Sequence, residues 1–238
     1  MTRRLELGFR RRFRDLLALV RPRRLDFGVD LLVGRAQERS ARDGVPSARS
    51  FLDLYLFTRR RVARRLVVTG ACTLAEAPWE RFQSDPPAFL CDGSLVGLGR
   101  WLRAAGYDAR DASASKGDSL LREAGEHGLV LATSDADLVE RRLVRDGSVV
   151  AQWVPTGLTP TEQLALVLAD LGLRLREPRC MACGGKLEAV AKDTLRERIP
   201  PRTARWKDDY WVCGACARLF WQGTHWERIA RALVQAAA

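Results

Sequence analysis

Four of the six cysteines stand as Cys180-x-x-Cys183 and Cys213-x-x-Cys216, with 29 residues, 184 to 212, between the pairs. Each pair turns a tight loop that brings two thiolates to one point. Two such loops supply the tetrahedral four-sulfur cage that structural zinc takes. Gly184, Gly185 and Gly214 allow the backbone to bend around the metal. Disulfides are the competing reading, and they call for a secretory context of which this sequence carries no sign. A closed four-sulfur site leaves no open coordination position, so the chemistry must lie elsewhere. Cys72 and Cys91 have no partner at ligand spacing and read as buried small apolar residues.

The second set is acidic: Asp92, Asp118 and Asp135, with Asp137 a weaker fourth. Each lies beside an expected helix start, and N-capping explains any one of them alone. Together they suggest carboxylates gathered on one edge of a sheet, which repel one another unless a cation neutralises them. Hard oxygen ligands select Mg²⁺ or Mn²⁺. Such a site suits phosphodiester hydrolysis, in which the cation activates a water and steadies the leaving oxygen. Asp92 and Asp135 are the expected direct ligands, because each follows a buried strand. Asp118 would hold a second metal or a metal-bound water. Two histidines leave little room for a Ser/His/Asp constellation, and no Gly-rich loop with its lysine argues for an ATP-driven enzyme.

The elements that must position these residues divide into three segments: 1–86, 87–176 and 177–238. In the middle segment Ala88–Cys91 is a short apolar strand that ends at Asp92. Leu95, Leu98, Leu102 and Ala105 recur at helical spacing up to Gly106. Tyr107–Arg110 is a weak strand, and a helix opens at Asp118. Leu129–Ala132 is a strand followed by Asp135, with a helix from about Leu138. Ser148–Val154 is a fourth strand. Thr159-Pro160-Thr161-Glu162 is a capping box with proline at the first helical position, which predicts a helix to about Leu171. Strand–helix alternation of this kind predicts a parallel sheet covered on both faces. The last segment predicts a β-hairpin, Trp211-Val212 in and Arg218–Trp221 out, with the metal at its tip and a closing helix from Trp226 to about Gln235. Its tryptophans, Trp206, Trp211, Trp221 and Trp226, could stack on bases but read rather as the small module's core. His225 reads as a packed structural histidine. In the first segment, Arg4–Phe9 and Phe51–Phe57 alternate like strands about a turn at Gly44-Val45-Pro46, which predicts a small α/β unit.

The chain has 238 residues, 47% hydrophobic, and a formal net charge of +11. Residues 1–86 hold 19 arginines against 10 acids, and the remainder 21 basic against 19 acidic residues. Basic runs such as Arg10-Arg11-Arg12 and Arg59-Arg60-Arg61 could meet phosphates or could equally be solvated surface. No apolar run approaches the roughly 20 residues that a membrane span needs. The expected setting is cytoplasmic.

Phe89-Leu90-Cys91-Asp92-Gly93-Ser94-Leu95, Leu98-Gly99-Arg100-Trp101-Leu102-Arg103 and Gly106-Tyr107-Asp108 together resemble the opening of the Mut-seven C-terminal RNase family, a PIN-like fold. Leu129–Asp135 resembles its strand-then-acid signature. Arg179-Cys180-x-x-Cys183 and Cys213-x-x-Cys216-x-Arg218-x-Phe220-Trp221-x-Gly223-x-His225-Trp226 resemble its fused zinc ribbon. The resemblance covers about residues 88–230. It implies a metal-dependent ribonuclease with catalytic acids at Asp92, Asp118 and Asp135, leaving a 3′-hydroxyl and a 5′-phosphate. It also implies structural zinc on Cys180, Cys183, Cys213 and Cys216, catalytic Mg or Mn, and RNA as partner. The first segment faintly resembles the ubiquitin-like domain often found ahead of this nuclease, and such a unit could also meet a protein partner. The contrasting reading is a non-catalytic RNA- or ribosome-binding protein on the same fold; a toxin of a toxin–antitoxin pair fits less well.

Overall fold

Residues 3–70 of the first segment fold as helices, which corrects the expectation of a small α/β, ubiquitin-like unit there. The computed structural model describes residues 3–70, 82, 85–112, 115–195 and 197–237, so Cys72 lies outside the described residues. Helices α1 (Arg3–Ala18), α2 (Leu25–Asp43) and α3 (Ser47–Val68) pack side by side. The apparent alternation at 4–9 is part of a longer helical stripe: α1 buries Leu5, Phe9, Phe13 and Leu16, while Leu7 stands 56% exposed. The same holds in α3, where Phe51, Leu52, Tyr55, Val62 and Leu66 are buried and Phe57 is exposed. The turn expected at Gly44-Val45-Pro46 is present. Gly44 ends α2 at φ 65°, a left-handed conformation that glycine adopts freely. Phe9, Phe13 and Phe51 are completely buried, and each contributes about 1.5–3 kcal/mol of hydrophobic stabilisation.

The middle segment follows the sequence pattern closely. It runs β1 (Phe89–Cys91), α4 (Val96–Ala104), β2 (Ala109–Asp111), α5 (Asp118–Glu126), β3 (Val130–Thr133), α6 (Arg142–Arg145), β4 (Ala151–Trp153) and α7 (Pro160–Leu171). A single 3₁₀ turn, Leu138–Glu140, precedes α6 where one helix from about Leu138 is expected. The four strands are parallel, in the order β2-β1-β3-β4. Side chains alternate across the sheet. Phe89 and Cys91 join α4 and α7 in one core layer, and Leu90 and Leu131 join α5 in the other. The capping box on α7 is formed as expected: Thr159 Oγ1 accepts from Glu162 N, and Thr159 N donates to Glu162 at 2.8 Å.

The core of the N-terminal helices continues into this segment through Trp153, Leu158 and Leu166. Polar contacts reinforce the joint. Arg12 and Tyr55 both grip Asp170 of α7, at 3.0 and 2.7 Å, and Arg49 pairs with Glu162 at 2.7 Å. Much of the basic run at 10–12 is therefore paired internally, since Arg10 meets Asp30 and Glu6 and Arg11 meets Glu140. One feature of α1 is locally unfavourable. Gly8 lies mid-helix, where glycine costs about 1 kcal/mol relative to alanine.

The last segment holds three antiparallel strands, β5 (Leu187–Val190), β6 (Tyr210–Cys213) and β7 (Leu219–Trp221), in the order β5-β6-β7. The hairpin expected at 211–221 is β6–β7; β5 extends it. A short α8 (Pro201–Ala204) lies between β5 and β6, and Leu195, Ile199 and Tyr210 form the module's own small core. The closing helix α9 (Thr224–Ala237) packs on α7, with Leu233 and Ala236 against the middle segment's core. The aromatic expectations divide. Trp221 packs on the small core and Trp211 stacks on Trp226, with ring centroids 5.8 Å apart, but Trp206 is 82% exposed. His225 is exposed at the start of α9 rather than packed. No helix among the described residues is long and apolar enough to cross a membrane.

Candidate active site and cysteine cluster

Strand order decides where a ligand can bind. In the order β2-β1-β3-β4 the chain leaves β1 toward one side and β3 toward the other, which opens a crevice at the carboxyl ends of those two strands. Asp92 follows β1 directly, and Asp135 lies two residues beyond β3. The sequence thus places two of its acids at the switch point of the sheet.

Asp92 is 8% exposed and fully engaged. Its Oδ1 accepts from the Ser94 amide at 2.9 Å and from the Ser94 hydroxyl; its Oδ2 accepts from Thr133 Oγ1 at 2.8 Å and from the Ser134 amide at 2.6 Å. A buried carboxylate held this way is fixed in orientation, and its charge is offset by dipoles. Thr133 is itself completely buried, and its hydroxyl also accepts the Asp135 amide at 3.0 Å. Asp135 accepts the Asp137 amide through Oδ1 at 2.9 Å, a local turn that orders the loop. Asp118, the first residue of α5, is exposed and pairs with Arg141 at 3.1 Å, which ties it to the loop that carries Asp135 and Asp137. Asp137 is exposed.

The donor set is all hard oxygen, which fits a magnesium- or manganese-type cation by chemistry. It is not drawn together to ligand distance. Among the described residues, the one group of three or more ligating side chains whose atoms lie within 4.8 Å of one another is the cysteine cluster.

That cluster is Cys180, Cys183, Cys213 and Cys216, all free thiols. Cys180 Sγ lies 3.7 Å from Cys216 Sγ, and Cys183 Sγ lies 3.4 Å from Cys213 Sγ. Zn–S bonds of about 2.3 Å in a tetrahedron place sulfurs roughly 3.8 Å apart, so the cage has the size that zinc needs. These separations are far beyond a disulfide bond. Burial pushes the Cys213 thiol up, but the backbone N–H groups of Cys216 and Ala215 outweigh it and bring it down to about 7. For Cys183 the Gly185 amide lowers the thiol, and sharing protons with Cys213 and Cys216 raises it to about 12. Gly185 has no alternative here. A Cβ at that position would lie 2.6 Å from Cys213 Sγ.

Two further polar residues, Arg103 and Asp111, have no forecast role. Arg103 of α4, 4% exposed, donates to Ala109 O at 2.8 Å and Asp111 Oδ2 at 2.8 Å on β2. It also donates to Met181 O at 3.2 Å and Ala182 O at 3.3 Å inside the first cysteine loop. One guanidinium therefore bolts the cysteine module to the sheet. Asp111 Oδ1 is buried with no hydrogen-bond partner among the described residues. Arg103 sits beside Leu102 in an amphipathic helix, and nothing local marks it as buried. Ser94, Thr133 and Ser134 also went without a role, although hydroxyls flanking an acid after a strand are a readable signal. Cys91 is buried as expected, and burial, with Asp111 nearby, pushes its thiol up to about 12.

Residues 87–233 match the family model described as Mut7-C RNAse domain. Comparison with the curated proteins and with the solved structures finds no match.

Proposed function

The chain belongs to the Mut7-C RNase domain family, and on that footing we propose that it is a metal-dependent, PIN-like ribonuclease that hydrolyses RNA phosphodiester bonds at the carboxyl edge of β1 and β3. The observation that carries the reading is Asp92, buried and held by Ser94, Thr133 and Ser134 at the switch point of the sheet, with Asp135 across the crevice. Asp92 and Asp135 would hold the cation directly, and Asp118 would join from the start of α5, with Asp137 nearby. A divalent cation bound there supplies Lewis-acid activation of water and neutralises charge on the phosphate. The chain's own residues do the rest. Thr133 and the Ser134 amide hold and aim Asp92, the Asp137 amide orders Asp135, and Arg141 pairs with Asp118, which brings a guanidinium to the same edge. Zinc on the four cysteines would be structural. RNA is the implied partner, and the N-terminal arginines that are not paired internally would add sequence-independent affinity.

The test is cleavage of single-stranded RNA with Mn²⁺, with and without EDTA, by the parent, Asp92→Asn and Asp135→Asn proteins. Loss of cleavage in both variants with RNA binding retained is the expected result. Cleavage at the parent's rate by the variants would refute the site. A parent protein that binds RNA without cutting it would support the non-catalytic reading.

A further inference from the structure

Gly8 and Trp153 meet across the joint between the N-terminal helices and the sheet. A Cβ on Gly8 would lie 2.2–2.7 Å from three ring atoms of Trp153, closer than any side chain allows. The glycine weakens α1 and is present where the six-membered ring of the indole presses on that helix. Arg12, one helical turn on, covers the same ring at 5.1 Å and also donates to the Trp153 carbonyl. Phe9 meets the ring edge-on at 6.2 Å. Trp153 is thus clamped by α1 over its face, edge and backbone, and it is 8% exposed.

The clamped indole does more than fill space. Its Nε1–H donates to the Ser134 carbonyl at 3.1 Å, and the Ser134 amide in turn donates to Asp92 Oδ2 at 2.6 Å. Trp153 also ends β4 directly opposite Thr133, whose hydroxyl makes the other bond to Asp92 Oδ2. A buried indole N–H needs an acceptor, and here the acceptor is the residue whose amide aims the carboxylate. The path is continuous, from α1 to Trp153 to Ser134 to Asp92.

We infer that the N-terminal helical unit is a positioning element for the Asp92 edge, acting through Trp153. The inference rests on the ribonuclease reading only for its consequence in catalysis; the positioning itself is a property of the fold. Trp153 touches no reacting atom and works by holding the Ser134 peptide. The helices and the RNase-type domain are then one working unit, and the metal-binding edge depends on contacts made far from it.

The test uses the full chain with Trp153→Phe, which keeps an aromatic ring and removes only the N–H and part of the surface, and separately Gly8→Val, which displaces the ring and alters no residue of the sheet. Three readouts apply: amide hydrogen exchange of peptides covering 133–137, Mn²⁺ affinity without RNA, and kcat against KM for RNA cleavage. Both variants should exchange at 133–137 roughly ten-fold faster. Each should bind Mn²⁺ several-fold more weakly, and should lose kcat with KM nearly unchanged. Variants that lower only the melting temperature, with exchange at 133–137 and Mn²⁺ affinity as in the parent, would make Trp153 core filling and overturn the inference. A parent that binds no Mn²⁺ would overturn the metal reading instead, while exchange at 133–137 still decides the positioning.

Discussion

Replacing Arg103 by Met tests whether one buried guanidinium joins the cysteine module to the sheet. Methionine fills a similar volume, so the change removes the charge and the donors and leaves little cavity. Four acceptors lose their partner: Ala109 O, Met181 O, Ala182 O and Asp111 Oδ2. Breaking a buried ion pair from one side costs about 3–5 kcal/mol, because the remaining charge is left uncompensated. Asp111 is 32% exposed against 5% for Arg103, so water can rescue part of the carboxylate. The knuckle carbonyls can also turn outward. We therefore expect about 2–3 kcal/mol, at or below the bottom of that range. For a chain of this size that corresponds to a drop in melting temperature of roughly 4–12 °C. Arg103→Lys should recover only part of it, since an ammonium cannot fork to β2 and to the cysteine loop at once. Asp111→Asn in the Arg103→Met background should restore stability by about 1 kcal/mol, measured as a double-mutant cycle. The assay is thermal unfolding by circular dichroism, paired with the rate of zinc release to a colorimetric chelator, which should rise because Met181 and Ala182 belong to the first cysteine loop. A melting temperature within about 1 °C of the parent, with unchanged zinc release, would refute the reasoning.

Three further outcomes are expected. Elemental analysis should find about one zinc per chain, and Cys180→Ser should lose it and unfold the β5–β7 sheet while the parallel sheet persists. Because the Cys180 thiol is raised by burial and Cys183 lies at about 12, both are protonated at neutral pH, so zinc uptake there should release about two protons or more into a weakly buffered indicator solution. Glu162 has its carboxyl held below the usual 4.5; burial opposes this, but the Arg49 guanidinium and the Thr159 amide outweigh it. A folded-state pKa below the unfolded one contributes stability that is present above the unfolded value and lost as pH falls through the folded one. Glu162→Gln keeps the capping hydrogen bond and loses the Arg49 ion pair, so it should cost about 0.5 kcal/mol at neutral pH, and the difference from the parent should shrink below pH 4.5; an equal gap at pH 7 and pH 3 would refute it.

The features that the sequence alone determined are those whose signal is local. Each Cys-x-x-Cys brings its own two thiols together because the loop is four residues long, and the capping box of α7 needs only Thr159 to Glu162. The short apolar runs before Asp92 and Asp135 mark β1 and β3 because parallel strands are buried on both faces. Tertiary structure decided the rest. At 4–9 and 51–57, a few alternating residues satisfy a strand and a helix equally, and only the neighbouring helices show which side chains are buried. Strand order sets the switch point, and it depends on which edge each crossover joins. Arg103 meets Met181 across 78 positions, Ser134 meets Asp92 across 42, and Arg12 meets Trp153 across 141. No window of sequence contains both members of such a pair. A buried charge, a mid-helix glycine and an indole N–H each look unfavourable alone, and each is satisfied by a partner that only the folded chain brings into contact.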